Sequence, residues 1–168
     1  MKVTVGSEDL AANKRITQIV DVIEERDRDD KLIEVLDKYS DKENYKKILI
    51  FVQKKRDAND LELRLIHLGW WVGSIHGDKD QYQRTKALNN FRSGRTPILV
   101  ATDVAARGLD IPNVEYVINY GFPVTIEDYV HRIGRTGNWR CLIIKFWYTN
   151  DDISSPDLLK DGLVSRRI

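Results

Sequence analysis

The run Ile48-Leu49-Ile50-Phe51-Val52 decides the fold, because five consecutive apolar residues stand between Lys47 and Gln53. A strand that is covered on both faces has this pattern, and such strands are typical of parallel sheets. Residues Arg56 to Leu68 follow with apolar positions at helical spacing, and Gly69 supplies a stop signal. The stretch therefore predicts a buried strand followed by an amphipathic helix.

The same alternation of strand and helix patterns continues along the chain. Short apolar runs predict strands at 71–75, 98–101, 114–120 and 142–148. Helical spacing predicts a helix at 81–91, closed by Ser93-Gly94, and another from Thr125 to about Arg135. Strict alternation favours an α/β fold with a mostly parallel central sheet and helices on both sides.

The segment before residue 47 carries weaker signals. Alternate positions between Ile16 and Val22 predict one side of an extended strand. Asp29-Asp30 predict the N-cap of a short helix. The buried stripe of that helix is predicted to consist of Leu32, Ile33, Val35, Leu36 and Tyr39.

Composition narrows the class of protein. The chain has 168 residues, 42% hydrophobic and 32% charged, which fits one soluble domain. Its single cysteine, Cys141, excludes an internal disulfide and favours a reducing compartment, so we expect an intracellular location, nucleus or cytoplasm, and no membrane association. The net charge of +1 is low for a dedicated nucleic-acid binder, which argues against tight binding of nucleic acid by this chain alone.

Polar clusters follow four successive predicted strands. In parallel sheets the functional residues gather at the carboxyl ends of the strands, so these clusters are expected to share one edge. They are Gln53 to Arg56, His76 to Gln81 with Arg84, Thr102 to Asp110, and Asp128 to Gly137.

Three of these residues suit contact with a phosphate backbone. Gly77 lets a ligand approach closely, Arg84 stands in the first turn of a predicted helix, and Thr102 offers a hydroxyl at a strand end. No aromatic residue lies among them, which favours backbone binding without sequence preference. In the last cluster, Arg132 and Arg135 are three residues apart and suit a polyphosphate.

Each cluster taken alone also has a purely structural interpretation. Lys54 and its neighbours are compatible with a solvated helix start, His76 with a core histidine, and Arg84 with an ion pair to a carboxylate. Asp103 and Asp110 are compatible with turn formation. His131 has no second ligand at suitable spacing, so no metal site is predicted. Four such clusters on successive strand ends favour a functional edge.

These motifs resemble those of DEAD-box RNA helicases. Residues 102–110, TDVAARGLD, resemble motif V, and residues 131–137, HRIGRTG, resemble motif VI. Ile50 to Gln53 resemble motif IV, and Gln81 to Arg84 resemble the Gln-x-x-Arg element. The resemblance runs from about Ala12 to about Asp151 and implies the second, C-terminal RecA-like domain, a three-layer α/β/α fold.

The resemblance implies a role for each motif residue. Arg135 is implied to be the arginine finger on the γ-phosphate of ATP, with Arg132 and His131 as further catalytic residues that contact the first domain. Gly108 and Asp110 are implied to line the ATP site together with these arginines. Lys54, Gly77, Arg84 and Thr102 are implied to contact the RNA backbone. Arg107, with His131, is implied to couple the RNA and ATP sites across the two domains.

The resemblance also implies what this chain does not supply. It contains no Gly-x-x-x-x-Gly-Lys-Thr loop and no Asp-Glu-Ala-Asp motif. ATP and Mg²⁺ are therefore expected to be held mainly by an N-terminal RecA-like domain, and the isolated chain is expected to be inactive. The implied partners are RNA, that N-terminal domain and regulatory proteins. Within the single domain, residues 1–28 are expected to be a lead-in from the interdomain linker and 152–168 an atypical tail.

One departure from the family pattern bears on catalysis. The family follows motif VI with a second arginine, where this chain has Asn138, and the expected glycine-rich loop is replaced by Trp139-Arg140-Cys141. Asparagine cannot make a bidentate charged contact with phosphate. Two alternatives therefore stand beside the helicase half: a non-catalytic RNA- or protein-binding module with the same fold, and a helicase half that acts on DNA.

Overall fold

The computed structural model describes residues 17–40, 46–109, 111, 114–135 and 142–148. The strands among them are β1 (Thr17–Ile23), β2 (Ile48–Val52), β3 (Val72–Ile75), β4 (Ile98–Thr102), β5 (Tyr116–Asn119) and β6 (Leu142–Tyr148). The helices are α1 (Arg28–Tyr39), α2 (Lys55–His67), α3 (Gln81–Arg92), α4 (Asp103–Ala106) and α5 (Ile126–Ile133), and a 3₁₀ turn (Glu25–Asp27) precedes α1.

The described strands form one sheet in the order β1-β6-β5-β2-β4-β3. Every pairing among them is parallel, and β2 lies between β4 and β5, with Ile48 opposite Ile98 on one side and Tyr116 on the other. The central strands β2 and β4 are buried along their whole length. This explains their unbroken apolar sequences, since both faces of a parallel sheet are covered by helices.

Two hydrophobic clusters lie on opposite faces of the sheet. Ile48, Ile50 and Val52 of β2 point to the face covered by α1 and α2. Leu49 and Phe51 of the same strand point to the face covered by α3, α4 and α5. The period of two along a strand thus divides one apolar run between two cores. The predicted three-layer α/β/α architecture is confirmed.

Most of the predicted helix ends are confirmed. The Thr125 hydroxyl accepts a hydrogen bond from the Asp128 amide at 3.0 Å and caps α5. Asp80 and Gln83 form a capping box at the start of α3. Gly69 and Gly94 follow α2 and α3 with φ of 85° and 78°, a left-handed conformation that glycine adopts without strain.

The predicted cap of α1 is wrong. The helix begins at Arg28 with Asp27 as N-cap, and no side chain bonds to the cap. The Asp29 carboxylate instead accepts hydrogen bonds from the Tyr120 hydroxyl and from Arg64. A contact between distant parts of the chain thus takes the side chain that the local pattern assigned to the helix end.

No described helix combines the length and the apolar character that a membrane crossing requires.

Candidate functional site

The carboxyl ends of β5, β2, β4 and β3 are neighbours in the sheet, and the predicted polar clusters meet there. Thr102 ends β4 and is followed directly by α4, while His76 and Gly77 follow β3. Helix α5 brings its own polar face to the same edge, because Arg132 contacts Asp103 at the start of α4. The expectation of one shared edge is confirmed for these residues.

Arg132 is the most completely enclosed charged side chain at this edge, with 0% of its surface exposed. Its Nε and Nη2 donate to the two carboxylate oxygens of Asp103 at 2.6 and 2.7 Å. Its Nη1 donates to Asn119 Oδ1 at 2.9 Å and to the Gly121 carbonyl at 2.6 Å. The guanidinium also lies 5.0 Å from the centre of the Phe51 ring.

This arrangement gives Arg132 a structural role inside the domain. A buried charge is tolerated only when it is paired and hydrogen-bonded, and the four contacts meet that requirement. They use most of the five N–H donors of the side chain and leave it no exposed surface for a ligand. In this structure Arg132 therefore anchors α5 to α4 and to the end of β5, and its contact with ATP stays a prediction.

A second ion pair joins the same two elements. Arg107, which follows α4, donates to the Asp128 carboxylate in the first turn of α5. Burial by itself raises the pKa of Asp128, but the hydrogen bonds from Arg107 and Thr125 outweigh it, so the pKa is held below its ordinary value. Asp128 is therefore charged at neutral pH. The sequence analysis gives Arg107 a role in the site and places Asp128 in the polar cluster at this edge without a role of its own.

Arg135 contrasts with Arg132 although it lies one helical turn further on. It is partly exposed, and its Nη1 donates to the Leu109 carbonyl at 2.7 Å. His131 is exposed on the same helix end. Both border a hollow of only about 10 Å³ that Asp103, Arg107 and Asp128 also line. Small-molecule sites measure roughly 300 Å³ or more, so this hollow does not enclose a nucleotide.

Other residues predicted for the ATP site are only partly described. Gly108 has φ of 72°, a left-handed conformation in the turn after α4 that glycine adopts without strain. Asp110, Gly137, Asn138 and Trp139-Arg140-Cys141 lie outside the described residues.

The four residues predicted to contact RNA lie along the same edge. Lys54 is exposed at the N-cap of α2, and Gly77 is exposed after β3. Arg84 is partly exposed in α3, forms no ion pair with the described residues, and has a buried Nε without a partner there. Thr102 is 7% exposed at the end of β4.

Side chains of α2 form hydrogen bonds with β3 and with the loop that follows it. His76 is 1% exposed, and its Nε2 shares a hydrogen bond with Asn59 Oδ1 at 2.9 Å, which agrees with the interpretation of a core histidine. Glu62 of α2 accepts from Lys79 at 2.8 Å and from Ser74 at 2.7 Å. These contacts fix the backbone on both sides of Gly77.

Within the described part of the chain, no group of three or more His, Cys, Asp or Glu side chains is arranged to hold a metal ion.

Sequence reasoning missed Asn119 and Gly121, which complete the environment of Arg132. Close packing explains why position 121 is a glycine, since a Cβ there would lie 3.1 Å from the Gln53 backbone nitrogen. A glycine directly after a buried strand is the one local signal of such a close approach. Nothing in the local pattern around Asn119 indicates a contact with a residue 13 positions later.

Comparison with known proteins gives consistent relatives. Residues 27–140 match the family model described as helicase conserved C-terminal domain. DEAD-box ATP-dependent RNA helicase 5 of Oryza sativa subsp. japonica is 56% identical over 137 residues, which cover 82% of this chain and 27% of that protein. The chain thus spans about a quarter of the length of this relative.

Solved structures agree with the sequence relatives. The C-terminal domain of the DEAD-box protein Dbp5 superimposes with a TM-score of 0.76 at 32% identity, over 90% of this chain and 88% of that one. The E. coli DEAD-box protein SrmB, solved bound to regulator of ribonuclease activity A, gives 0.77 at 29% identity, over 93% of this chain and 90% of that one. The chain therefore belongs to the helicase conserved C-terminal domain family and is a RecA-like C-terminal domain of the DEAD-box RNA helicases.

Proposed function

We propose that this chain is the second motor domain of an ATP-dependent RNA helicase. In this proposal it binds the sugar-phosphate backbone of RNA and presents Arg135 to ATP that is held on an N-terminal domain. The observation that carries the proposal is the contrast between Arg132 in the last turn of α5 and Arg135 just after that helix. Arg132 is fully buried and makes all its contacts inside the domain. Arg135 is partly exposed, and its side chain donates one hydrogen bond, to the Leu109 carbonyl.

Arg135 has the properties that an arginine finger needs. A planar, permanently charged guanidinium stabilises the charge that develops on a transferred phosphoryl group. Arg132 anchors the helix that precedes Arg135, whereas the Arg135 side chain is itself partly exposed. One hydrogen bond to the Leu109 carbonyl is a small obstacle to such a contact, since a typical hydrogen bond contributes only about 1 kcal/mol net.

The small hollow at this edge supports a shared ATP site. Among the described residues, Arg135 and His131 form a polar surface that ATP could contact from one side. The hollow there is too small to enclose a nucleotide. We infer that the nucleotide and its Mg²⁺ are held mainly by the N-terminal domain, and that Arg135, His131, Gly108 and Asp110 approach from this side. The isolated chain is then expected to hydrolyse no ATP.

The RNA-binding part of the proposal depends on the exposure of Lys54 and Arg84 and on Gly77. A Cβ added at Gly77 meets no atom within 4 Å, and its φ is not in the left-handed region. Neither packing nor backbone geometry therefore requires glycine there. A close approach by a ligand backbone gives a reason for it, and Lys54, Arg84 and Thr102 lie along the same edge to contact phosphates.

Further partners follow from the relatives. SrmB is solved in complex with a regulator protein, and we propose that this chain also meets regulatory proteins in addition to RNA and the N-terminal domain.

The decisive experiment joins this chain to the N-terminal domain of a DEAD-box helicase and measures RNA-stimulated ATP hydrolysis. We expect turnover in the fused protein, and a loss of at least about 100-fold in kcat with Arg135→Ala. The matched control is Arg95→Ala, which removes an exposed arginine at the opposite edge of the sheet and leaves kcat unchanged. Turnover by the isolated chain, abolished by Arg135→Ala, would contradict the proposed need for a second domain.

A fused protein that binds RNA and ATP but shows no turnover favours the non-catalytic module, and Asn138→Arg is then the next variant. RNA binding is tested separately by titration at several salt concentrations. Gly77→Ala weakens binding without loss of stability, and Arg84→Ala reduces the salt slope by about 1. Preference for DNA over RNA in competition would instead favour the DNA-helicase alternative.

A further inference from the structure

Two ion pairs connect α4 to α5 in a crossed arrangement. Asp103 and Arg107 are four residues apart on α4 and its C-cap, and Asp128 and Arg132 are four residues apart on α5. Asp103 pairs with Arg132, and Arg107 pairs with Asp128. Each element thus contributes one acid and one base. We name these four residues the crossed clasp.

A clasp with two points restrains orientation as well as distance. Residues four apart in a helix lie on one face and are separated by about one turn, or ~6 Å along the axis. A single ion pair leaves its two elements free to pivot around the contact. Two pairs one turn apart remove that freedom, so the direction in which α5 points its last turn is determined relative to α4.

The two halves of the clasp differ in exposure. In the first pair the side chains are 0% exposed for Arg132 and 16% for Asp103. In the second pair Asp128 is 9% exposed but Arg107 is 54% exposed. The Arg132–Asp103 pair is therefore largely buried. The Arg107–Asp128 pair joins a buried carboxylate to an arginine that is half exposed to solvent.

The clasp lies between the two proposed binding regions. Thr102, on the RNA side, directly precedes Asp103, so it is attached to one end of the clasp. Arg135 follows Arg132 by three residues, and the Leu109 carbonyl that it contacts follows Arg107 by two. Both the finger and the atom that restrains it are thus attached to clasp residues.

We propose that Asp128 is a positioning residue, which holds Arg107 and so keeps Arg135 aimed at the ATP-facing surface. This inference rests on the proposed function and extends it to a residue that contacts neither ATP nor RNA in that proposal. Asp128 acts through Arg107 and through the orientation of α5. Removing its charge leaves α5 held by the contacts of Arg132 and by the packing of Tyr129, with the second ion pair lost, so its last turn is less tightly oriented.

The local structure makes Asp128 suitable for a clean test. Its backbone amide donates to the Thr125 hydroxyl, so Asp128→Asn keeps this cap of α5, while the contacts of the carboxylate with Arg107 and Thr125 lose their charge. Glu127 provides the matched control, because it is exposed in the same turn of α5 and has no contact with the clasp. Glu127→Gln removes the same charge from the same helix start.

The experiment measures RNA-stimulated ATP hydrolysis in the fused protein for these two variants. We expect Asp128→Asn to lower kcat about 10-fold, since small misplacements of a catalytic group have effects of this order. The KM for ATP should stay within about twofold, because the finger acts mainly in the transition state. Glu127→Gln should retain the kcat of the parent protein.

Arg107→Gln and the double variant complete a mutant cycle. If the two residues act as a pair, the double variant loses no more than the stronger single variant; independent roles give losses that multiply. Arg107→Gln also serves if Asp128→Asn does not fold, because Arg107 is half exposed. An unchanged kcat in Asp128→Asn, or losses that multiply, would overturn the clasp inference alone. Absence of turnover in the parent fusion would overturn the proposed function and this inference together.

Discussion

The two ends of the sheet each contain side chains whose burial differs from what their polarity predicts, in opposite directions. At the carboxyl end, charged and polar side chains are buried and paired, as Arg132 and Asp128 show. At the amino end, apolar side chains are exposed, including Leu68 and Trp71, the latter 65% exposed. They border a surface cleft of about 360 Å³ between α1 and the start of β3. Residue type alone would assign Arg132, Asp128, Leu68 and Trp71 to the wrong environment.

The difference teaches that contacts, more than polarity, decide which residues stabilise the domain. A charge that is enclosed with a full set of partners is costly to truncate, because its partners are left buried and unpaired. An exposed apolar side chain costs little to truncate, because most of its surface already faces water. The following substitutions test this contrast in order of expected effect.

The largest effect is expected for Arg132→Met. Methionine approximates the length of the side chain but leaves the Asp103 carboxylate, Asn119 and the Gly121 carbonyl without their donor. We expect the free energy of unfolding to fall by about 3–5 kcal/mol, measured by urea denaturation. Arg95→Met, at an exposed position, should change it by less than about 0.5 kcal/mol. Equal small effects at both positions would show that the buried network does not stabilise the fold.

The adjacent tryptophans Trp70 and Trp71 provide the next test at the amino end. Trp70 packs against the cluster beneath α1 and α2, whereas Trp71 is largely exposed. We expect Trp70→Ala to cost about 2 kcal/mol and Trp71→Ala less than about 1 kcal/mol in thermal unfolding. A loss for Trp71→Ala as large as that for Trp70→Ala would contradict the contrast between the two ends.

A smaller effect is expected where α3 begins. Asp80 caps this helix through the Gln83 amide at 2.7 Å, so Asp80→Ala should cost about 1 kcal/mol. Asp30 was predicted as a cap from the sequence but lies inside α1, and Asp30→Ala should cost clearly less. Chemical denaturation of both variants checks the order. A larger loss of stability for Asp30→Ala than for Asp80→Ala would support the sequence-based prediction that Asp30 caps α1.

The smallest effect concerns His76 and pH. Burial, and after it the nearby Lys79, lowers the pKa of His76, and its Nδ1 has no partner among the described residues. The unfolded chain therefore binds the proton first, so stability is complete above about pH 6.5 and declines as the pH falls below it. The other charged groups that act on this ring are Glu62, Asp78 and Lys55.

Thermal unfolding between pH 7 and pH 5 measures this decline. His76→Gln should remove part of it, while His67→Gln, at an exposed position of α2, should leave it unchanged. Asp128 contributes no slope in this range, because its lowered pKa places the loss of its contribution at more acidic pH. An identical pH profile for the parent protein and His76→Gln would contradict the assignment.

The strands and long helices were accessible to sequence reasoning, because their signals are local. The five consecutive apolar residues Ile48 to Val52 are enough to predict a buried strand, and Gly69 is enough to predict the end of α2. Helix α4 was missed because Asp103–Ala106 is too short to show a helical period. Nothing local predicts which side chain a distant residue will engage, and the Asp29 cap was wrongly assigned for this reason.

The candidate site was predictable in its location but not in its division of roles. The rule for parallel sheets placed His76, Thr102 and Arg132 at one edge. It assigned Arg132 and Arg135 the same chemistry, because both are arginines on one helix end. The partners that separate them, Asp103 and Gly121 for one and the Leu109 carbonyl for the other, lie between 11 and 29 positions away in sequence.

The most direct test of this division is one variant measured in two ways. Arg135→Ala in the protein fused to a DEAD-box N-terminal domain should unfold at the same temperature as the parent. Its RNA-stimulated kcat should fall by at least about 100-fold. A marked drop in unfolding temperature with kcat retained would show that Arg135 stabilises the fold, and it would contradict the account of this chain as the half that supplies the finger.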